Sequence, residues 1–360
     1  MTDLIVPGFY KRRKGALNDL GAFCQDRGRR ALIIGGKMAL EATEEPMVSN
    51  LKMAKVEAFV EWYGGECTWG NINRLADMAS DKEVDLIIGV GGGKVLDTAK
   101  AVAYLAEVSC ITVPTIAATC AAYTPLSIIY DDQGVYLENS EKAACPEGIF
   151  IDPDIIVRAP EKWLYSGIGD TLAKWYELRA TTSGVAQSSW TIGGSSNGRV
   201  CYDIIKKFGP QAQKTIAGQG SSEALDYVID AIIYYAGICS ILGGEKFRGA
   251  AAHSIYMGFT QIPGMHNFGH GLLVGFGNLC LLALEGRNER EILEEIELAR
   301  ECGIPIKLKD IGVFLESELK MIADFAIKTN GIHNMPIKIT SDMIVEAIKY
   351  IDNLSTKYFS

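Results

Sequence analysis

The stretch Val84-Asp85-Leu86-Ile87-Ile88-Gly89-Val90-Gly91-Gly92-Gly93-Lys94-Val95-Leu96-Asp97-Thr98-Ala99-Lys100 decides the fold. Its first half is an almost unbroken apolar run, which suits a strand covered on both faces in a parallel sheet. Three glycines end the run, and residues 95–105 then follow helical spacing. A strand that turns through glycine into a helix belongs to an α/β layer architecture. Glycines let the backbone approach a phosphate, and the start of a helix offers free N–H groups and positive potential. Gly92, Gly93 and Lys94 therefore form a candidate phosphate site. The pattern is neither GxGxxG nor a P-loop, because no Gly-Lys-Ser/Thr stands at the required spacing.

Working outward, residues 31–34 form a short apolar run ending at Gly35-Gly36. Residues 110–113 stop at Pro114, and 149–151 stop at Asp152-Pro153. These predict further buried strands. Beyond about residue 160 the strand signals cease. Residues 171–180, 198–207, 222–242, 250–261 and 291–302 fit helical spacing, with Gly or Pro between them. The expected organisation is a dinucleotide-binding α/β domain over 1–160 and a helical metal- and substrate-binding domain over 161–360, with a cleft where they meet.

Bulk properties exclude several function classes. The chain has 360 residues, 48% hydrophobic and 22% charged, the balance of a globular protein. A net charge of −9 argues against nucleic acid as the main partner. The one short basic run, Lys11-Arg12-Arg13-Lys14, reads as a solvated face. Nine scattered cysteines form no CxxC pair, so no disulfide framework or thiolate zinc site is expected. With no signal-peptide pattern and no apolar run of membrane-spanning length, the expectation is a cytoplasmic protein without membrane contact.

Histidine is scarce and clustered. Of four, His253, His266 and His270 fall within 18 residues. His266 and His270 would share a face if residue 265 onward were helical, and neutral imidazoles are common metal ligands. A metal or catalytic site is the better reading of the cluster. Gly167-Ile168-Gly169-Asp170 precedes a predicted helix, and Asp170 reads as its N-cap. Spacing alone gives it no ligand role.

Taken together, these segments resemble the iron-containing alcohol dehydrogenase superfamily, in its glycerol-dehydrogenase-like branch. The matching stretches are Gly-Gly-Gly-Lys-Val-Leu-Asp-Thr-Ala-Lys at 91–100, Val-Pro-Thr-Ile-Ala at 113–117 and Gly-Ile-Gly-Asp-Thr-Leu-Ala at 167–173. Ala252-His253 and His270-Gly271 complete the set. The resemblance implies an N-terminal Rossmann-like parallel-sheet domain plus an all-α C-terminal domain, the dehydroquinate synthase-like fold. It also implies an NAD(P)-dependent and metal-dependent enzyme, with a divalent ion on Asp170, His253 and His270. Lys174 stands where iron-type relatives carry a further His, which favours zinc. His266 has no assured role beyond a substrate contact or proton relay. Cofactor contacts carry over onto Gly93 and Lys94 at the pyrophosphate, and onto Thr115, Ala118, Thr124, Leu126 and Tyr130 on the nicotinamide side. A homo-oligomer is expected because the family forms them.

Two departures bear on cofactor and substrate. NAD-preferring relatives place an Asp after the first strand, where this chain has Gly36 followed by Lys37. That makes NADP(H) acceptable alongside NAD(H). Polyol-binding members carry an Asp at the position of Cys120, so the resemblance runs closest to hydroxycarboxylate dehydrogenases that reduce 2-oxo acids. The alternative is a glycerol dehydrogenase using NAD. More remote are a 3-dehydroquinate synthase-like lyase and a non-catalytic dinucleotide-binding regulator. A further departure is Leu272-Leu273 after His270-Gly271, where the family usually has polar residues.

Overall fold

The computed structural model describes residues 4–265, 268–313 and 315–359. The chain divides into two compact units at Pro160/Glu161. The first carries β1 (Tyr10–Arg12), β2 (Arg30–Gly35), β3 (Glu57–Trp62), β4 (Leu86–Gly91), β5 (Ser109–Pro114), β6 (Ser127–Tyr130), β7 (Tyr136–Ser140) and β8 (Gly148–Ile151). Its helices are α1 (Leu20–Cys24), α2 (Lys37–Met53), α3 (Trp69–Asp81), α4 (Gly93–Ala106) and α5 (Pro153–Arg158). Six strands form one parallel sheet in the order β1-β8-β5-β4-β2-β3. β6 and β7 pair as a separate antiparallel hairpin.

Alternate residues of a strand face opposite sides, and here both sides are apolar. Ile33, Ile88, Ile111 and Phe150 pack with Leu20, Met47 and Leu51 from α1 and α2. Leu32, Ile34, Ile87 and Cys110 pack with Ile72, Leu75, Ala99 and Val102 from α3 and α4. This double burial makes β2, β4, β5 and β8 continuous apolar runs. The strand β3 lies at the sheet edge, where Glu57 and Trp62 are exposed and the four residues between them are only partly covered. Its pattern is broken for that reason. The basic run near the N-terminus is solvated at Arg13 and Lys14, as expected, but its first half is not a simple solvated face. Tyr10–Arg12 is a strand, paired in register with Ile149–Ile151. Cations on an outer strand discourage pairing with another chain.

The second unit contains α6 (Lys162–Thr181), α7 (Ser189–Ala217), α8 (Glu223–Asp230), α9 (Ala236–Phe247), α10 (Ala251–Phe259), α11 (His270–Leu284), α12 (Glu289–Glu301), α13 (Leu308–Ile311), α14 (Glu316–Ala326) and α15 (Ser341–Tyr358), with no strand among the described residues. A π-helical segment, Ala231–Tyr235, joins α8 to α9 where one continuous helix was predicted. The combined stretch Glu223–Phe247 is long and apolar enough to cross a membrane by length and composition. Half of its most apolar window is buried within the fold.

Two glycine contacts set the centre of this unit. A Cβ on Gly271 would stand 1.8 Å from the Ser166 carbonyl oxygen, and one on Gly169 would stand 2.0 Å from that of Gly271. No larger residue fits between α6 and α11 at these points. Polar groups lock the same contact: the Gly271 N–H donates to Ser166 Oγ at 2.9 Å, and Asn278 Nδ2 donates to the Gly169 carbonyl at 2.9 Å. The helix α11 is buried on all sides from Gly271 through Leu282, as a helix apolar all round must be. Leu272 and Leu273 belong to that core packing.

Candidate metal centre and cofactor turn

Asp170 is not an N-cap. α6 begins eight residues earlier, at Lys162, and runs through it. Gly169, one residue before it, sits at the close contact with α11. Asp170, Lys174 and Glu177 consequently share one face of α6, at i, i+4 and i+7. The third position of α10 presents His253, and the first of α11 presents His270.

These side chains converge. His253 Nε2 lies 3.3 Å from Asp170 Oδ1, and His270 Nε2 lies 3.6 Å from the same oxygen. One donor atom from each of the three residues falls within 4.8 Å of the others. A tetrahedral ion with bonds of about 2.0–2.1 Å separates its ligands by roughly 3.3 Å. One carboxylate and two imidazoles at this spacing fit a divalent ion with a position left open.

Glu177 completes the arrangement, and sequence reasoning missed it. Its carboxylate accepts the His253 backbone N–H at 2.9 Å, the Ala250 N–H at 2.8 Å, and His253 Nδ1 at 2.6 Å. A buried carboxylate that accepts at Nδ1 fixes the tautomer and turns Nε2 toward Asp170, as outer carboxylates do for metal-bound histidines. The readable signal was its i+7 spacing from Asp170, which a helix starting after Asp170 obscured.

Charge is balanced within the cluster. Burial opposes ionisation of Asp170, yet Lys174 and the two imidazoles hold its carboxyl well below the usual range. Burial likewise opposes charge on Glu177, and His253 with the backbone N–H groups outweighs it. Burial works against a charged His253, but Glu177 and Asp170 push it up to about 9. Burial lowers His270, so that ring is neutral near pH 7. An ion binding here below about pH 9 must displace one proton, from His253. Its affinity should therefore fall about tenfold for each unit of decreasing pH. Zinc calorimetry in buffers of different ionisation heat will count close to one proton released; a count of zero at pH 7 contradicts this.

The sequence predicts a helical face shared by His266 and His270. Gly269 has φ 130° and α11 starts at His270. His266 itself lies outside the described residues.

In the first unit, β4 ends at Gly91, Gly92 caps α4 without a side chain, and Gly91 has φ 151°. A Cβ on Gly92 would stand 2.6 Å from Ile116 Cδ1. The Thr115 N–H donates to the Gly91 carbonyl at 3.1 Å, placing the end of β5 beside the turn. The side chain of Lys94 is ion-paired with Glu66 and lies 5.1 Å from the Tyr130 ring centre. Gly36 caps α2, and its N–H donates to the Val90 carbonyl at 3.3 Å. Lys37 Nζ lies 4.7 Å from the Trp62 ring centre. Gly36, Gly92, Gly93, Lys94, Thr115 and Tyr130 thus gather at the carboxyl ends of β2, β4 and β5, where open parallel sheets receive ligands. Ala118 and Cys120 are buried in the segment that follows β5.

A second residue missed from sequence is Lys100. It is fully buried, 2.8 Å from Asp97 Oδ1, and donates to the carbonyls of Thr124 and Leu126. Thr124 and Leu126 thereby meet this lysine through their backbone.

Comparison with known proteins agrees with both units. Residues 7–153 match the family model for iron-containing alcohol dehydrogenase. The chain is 33% identical over 361 residues to a glycerol dehydrogenase of Pseudomonas putida, covering 98% of this chain and 97% of that protein. It is 34% identical to hydroxycarboxylate dehydrogenase A of Escherichia coli K12, covering 97% of each. A solved structure of a probable glycerol dehydrogenase from Sinorhizobium meliloti 1021 superposes with a TM-score of 0.89 at 30% identity, over 99% of both chains. The family implies a nicotinamide dinucleotide and a divalent metal. This chain belongs to the iron-containing alcohol dehydrogenase family, as an oxidoreductase of its glycerol-dehydrogenase-like branch.

Proposed function

We propose that the protein transfers hydride between NAD(P)(H) and a small polyol of the glycerol class, with a zinc ion held by Asp170, His253 and His270. The observation that carries this reading is the convergence of those three donors, with Glu177 orienting His253. Bound there, the ion would polarise the oxygen of an alcohol or carbonyl. The chain's own contribution is position and field. Asp170 stays ionised, Glu177 keeps the His253 proton on Nδ1, and the Gly92–Lys94 turn offers the start of α4 to the cofactor's phosphates. The relatives favour a polyol over the 2-oxo acid expected from sequence, since glycerol dehydrogenases recur among them. An oxidoreductase reading also displaces the lyase and regulator alternatives. Nine free cysteines, eight of them buried, suit a reducing cytoplasm, and a homo-oligomer is part of the proposal.

One observation favours the second reading, a 2-oxo acid reductase: Cys120 brings a thiol to the place where polyol-binding members carry a carboxylate. Rates on zinc-loaded protein separate the two. Faster glycerol oxidation with NAD supports the polyol; faster 2-oxobutanoate reduction with NADPH supports the oxo acid.

Cofactor choice is testable at Gly36. A Cβ there would meet only Val95 Cγ2, at 3.5 Å, and φ is an ordinary −77°. Aspartate therefore enters without strain and sets a carboxylate against a 2′-phosphate. Gly36→Asp should lower kcat/KM for NADPH by about tenfold or more while sparing NADH. An unchanged ratio would remove Gly36 and Lys37 from the cofactor site.

A further inference from the structure

Lys174 follows Asp170 by one turn of α6, and its Nζ lies 3.2 Å from Asp170 Oδ1. The same oxygen is the one that His253 and His270 face. The Lys174 side chain is 8% exposed and that of Asp170 4%, so water screens their charges poorly. A lysine cation thus shares a single carboxylate oxygen with the position of the ion.

We propose that Lys174 is a tuning residue for metal exchange, holding Asp170 in place before the ion arrives and weakening the ion's grip once it is bound. The inference rests on Asp170, His253 and His270 being the ligands. An ion bonded to Oδ1 at about 2.1 Å stands no more than roughly 5 Å from Nζ. At that separation a unit cation and a divalent ion repel strongly, even at an effective dielectric of about 20. The lysine therefore has two opposed effects: it keeps the ligand carboxylate ordered and ionised, and it makes its replacement by metal incomplete in free energy. An ordinary helix salt bridge at i, i+4 has neither property, because it is exposed and stands apart from a donor cluster.

The test is zinc affinity, measured by competition with a fluorescent chelator, without reference to turnover. Lys174→Met and Lys174→Gln should each bind zinc about tenfold or more tighter than the unaltered protein, while Lys174→Arg stays within about threefold of it. Structural damage would weaken zinc binding, so tightening has no merely structural explanation. Equal or weaker binding in whichever of the Met and Gln variants keeps its helical circular dichroism overturns the proposal. Asp170→Asn serves as the reference. If it binds zinc as tightly as the unaltered protein, the ligand assignment itself fails, and the role of Lys174 with it.

Discussion

Replacing Asp170 with asparagine should strip the bound ion and lower kcat/KM by roughly 10³-fold or more, a loss of about 4 kcal/mol in transition-state stabilisation. Asparagine keeps the shape of the side chain and its place in α6 but removes the charge on which both imidazoles converge. Two neutral histidines are too few to hold a divalent ion at an open site. The substitution also takes the carboxylate partner from Lys174, whose side chain is buried. Breaking a buried ion pair from one side costs about 3–5 kcal/mol, so stability must be measured beside activity. Asp170→Asn with Lys174→Met separates the two effects: it should regain much of the stability without regaining activity. Metal analysis by atomic emission and a steady-state assay on the folded variant decide the matter. A full equivalent of metal and an unaltered rate in Asp170→Asn would end the metal assignment.

Lys100→Met should cost about 3–5 kcal/mol of stability, because it leaves the buried Asp97 carboxylate without its cation and two carbonyls without their donor. From α4, Asp97 also holds the segment after β5: its Oδ2 accepts the Ile128 N–H at 3.1 Å, and its carbonyl accepts from Ser127 Oγ at 2.7 Å. The pair therefore ties residues 124–128 to α4, the helix that opens at the glycine turn. With roughly 2–4 °C lost per kcal/mol for a unit of this size, calorimetry should show the transition lowered by about 10 °C. A drop under about 2 °C would mean the pair contributes little. Adding Asp97→Asn should recover part of the loss, since the stranded charge accounts for much of it.

How far these features were legible follows from where their determinants lie along the chain. The strands β2, β4, β5 and β8 are covered on both faces, so residues 31–34, 86–88, 110–113 and 149–151 are apolar apart from Thr112. The edge strands were not legible. Glu57 and Glu61 bracket the apolar run of β3, and β1 consists of Tyr10, Lys11 and Arg12, whose pairing with β8 lies about 140 residues away in sequence. The start of α6 was misread because Gly167 and Gly169 are helix breakers in isolation. The Gly271 carbonyl, against which a Cβ on residue 169 would clash, accounts for Gly169.

The candidate site divides in the same way. Asp170, His253 and His270 could be named from motifs because each sits in a recognisable local phrase. Glu177, Lys174 and Lys100 could not be given roles, since their partners come from other turns and helices. Cys120, Gly36 and Lys37 were legible as departures from a pattern, and the comparisons then weighed against the substrate inferred from one of them.

Sequence alone was enough for the α/β character of the first half, the glycine turn into α4 and the helical second half. Those features follow from periodicity and backbone freedom, which are local properties. It took the packed helices to bring the imidazoles of His253 and His270 to one oxygen of Asp170, to let Glu177 set the tautomer of His253, and to bury the lysines that hold Asp170 and Asp97. Such facts depend on how closely helices approach, and that distance is set by packing between residues far apart in the chain.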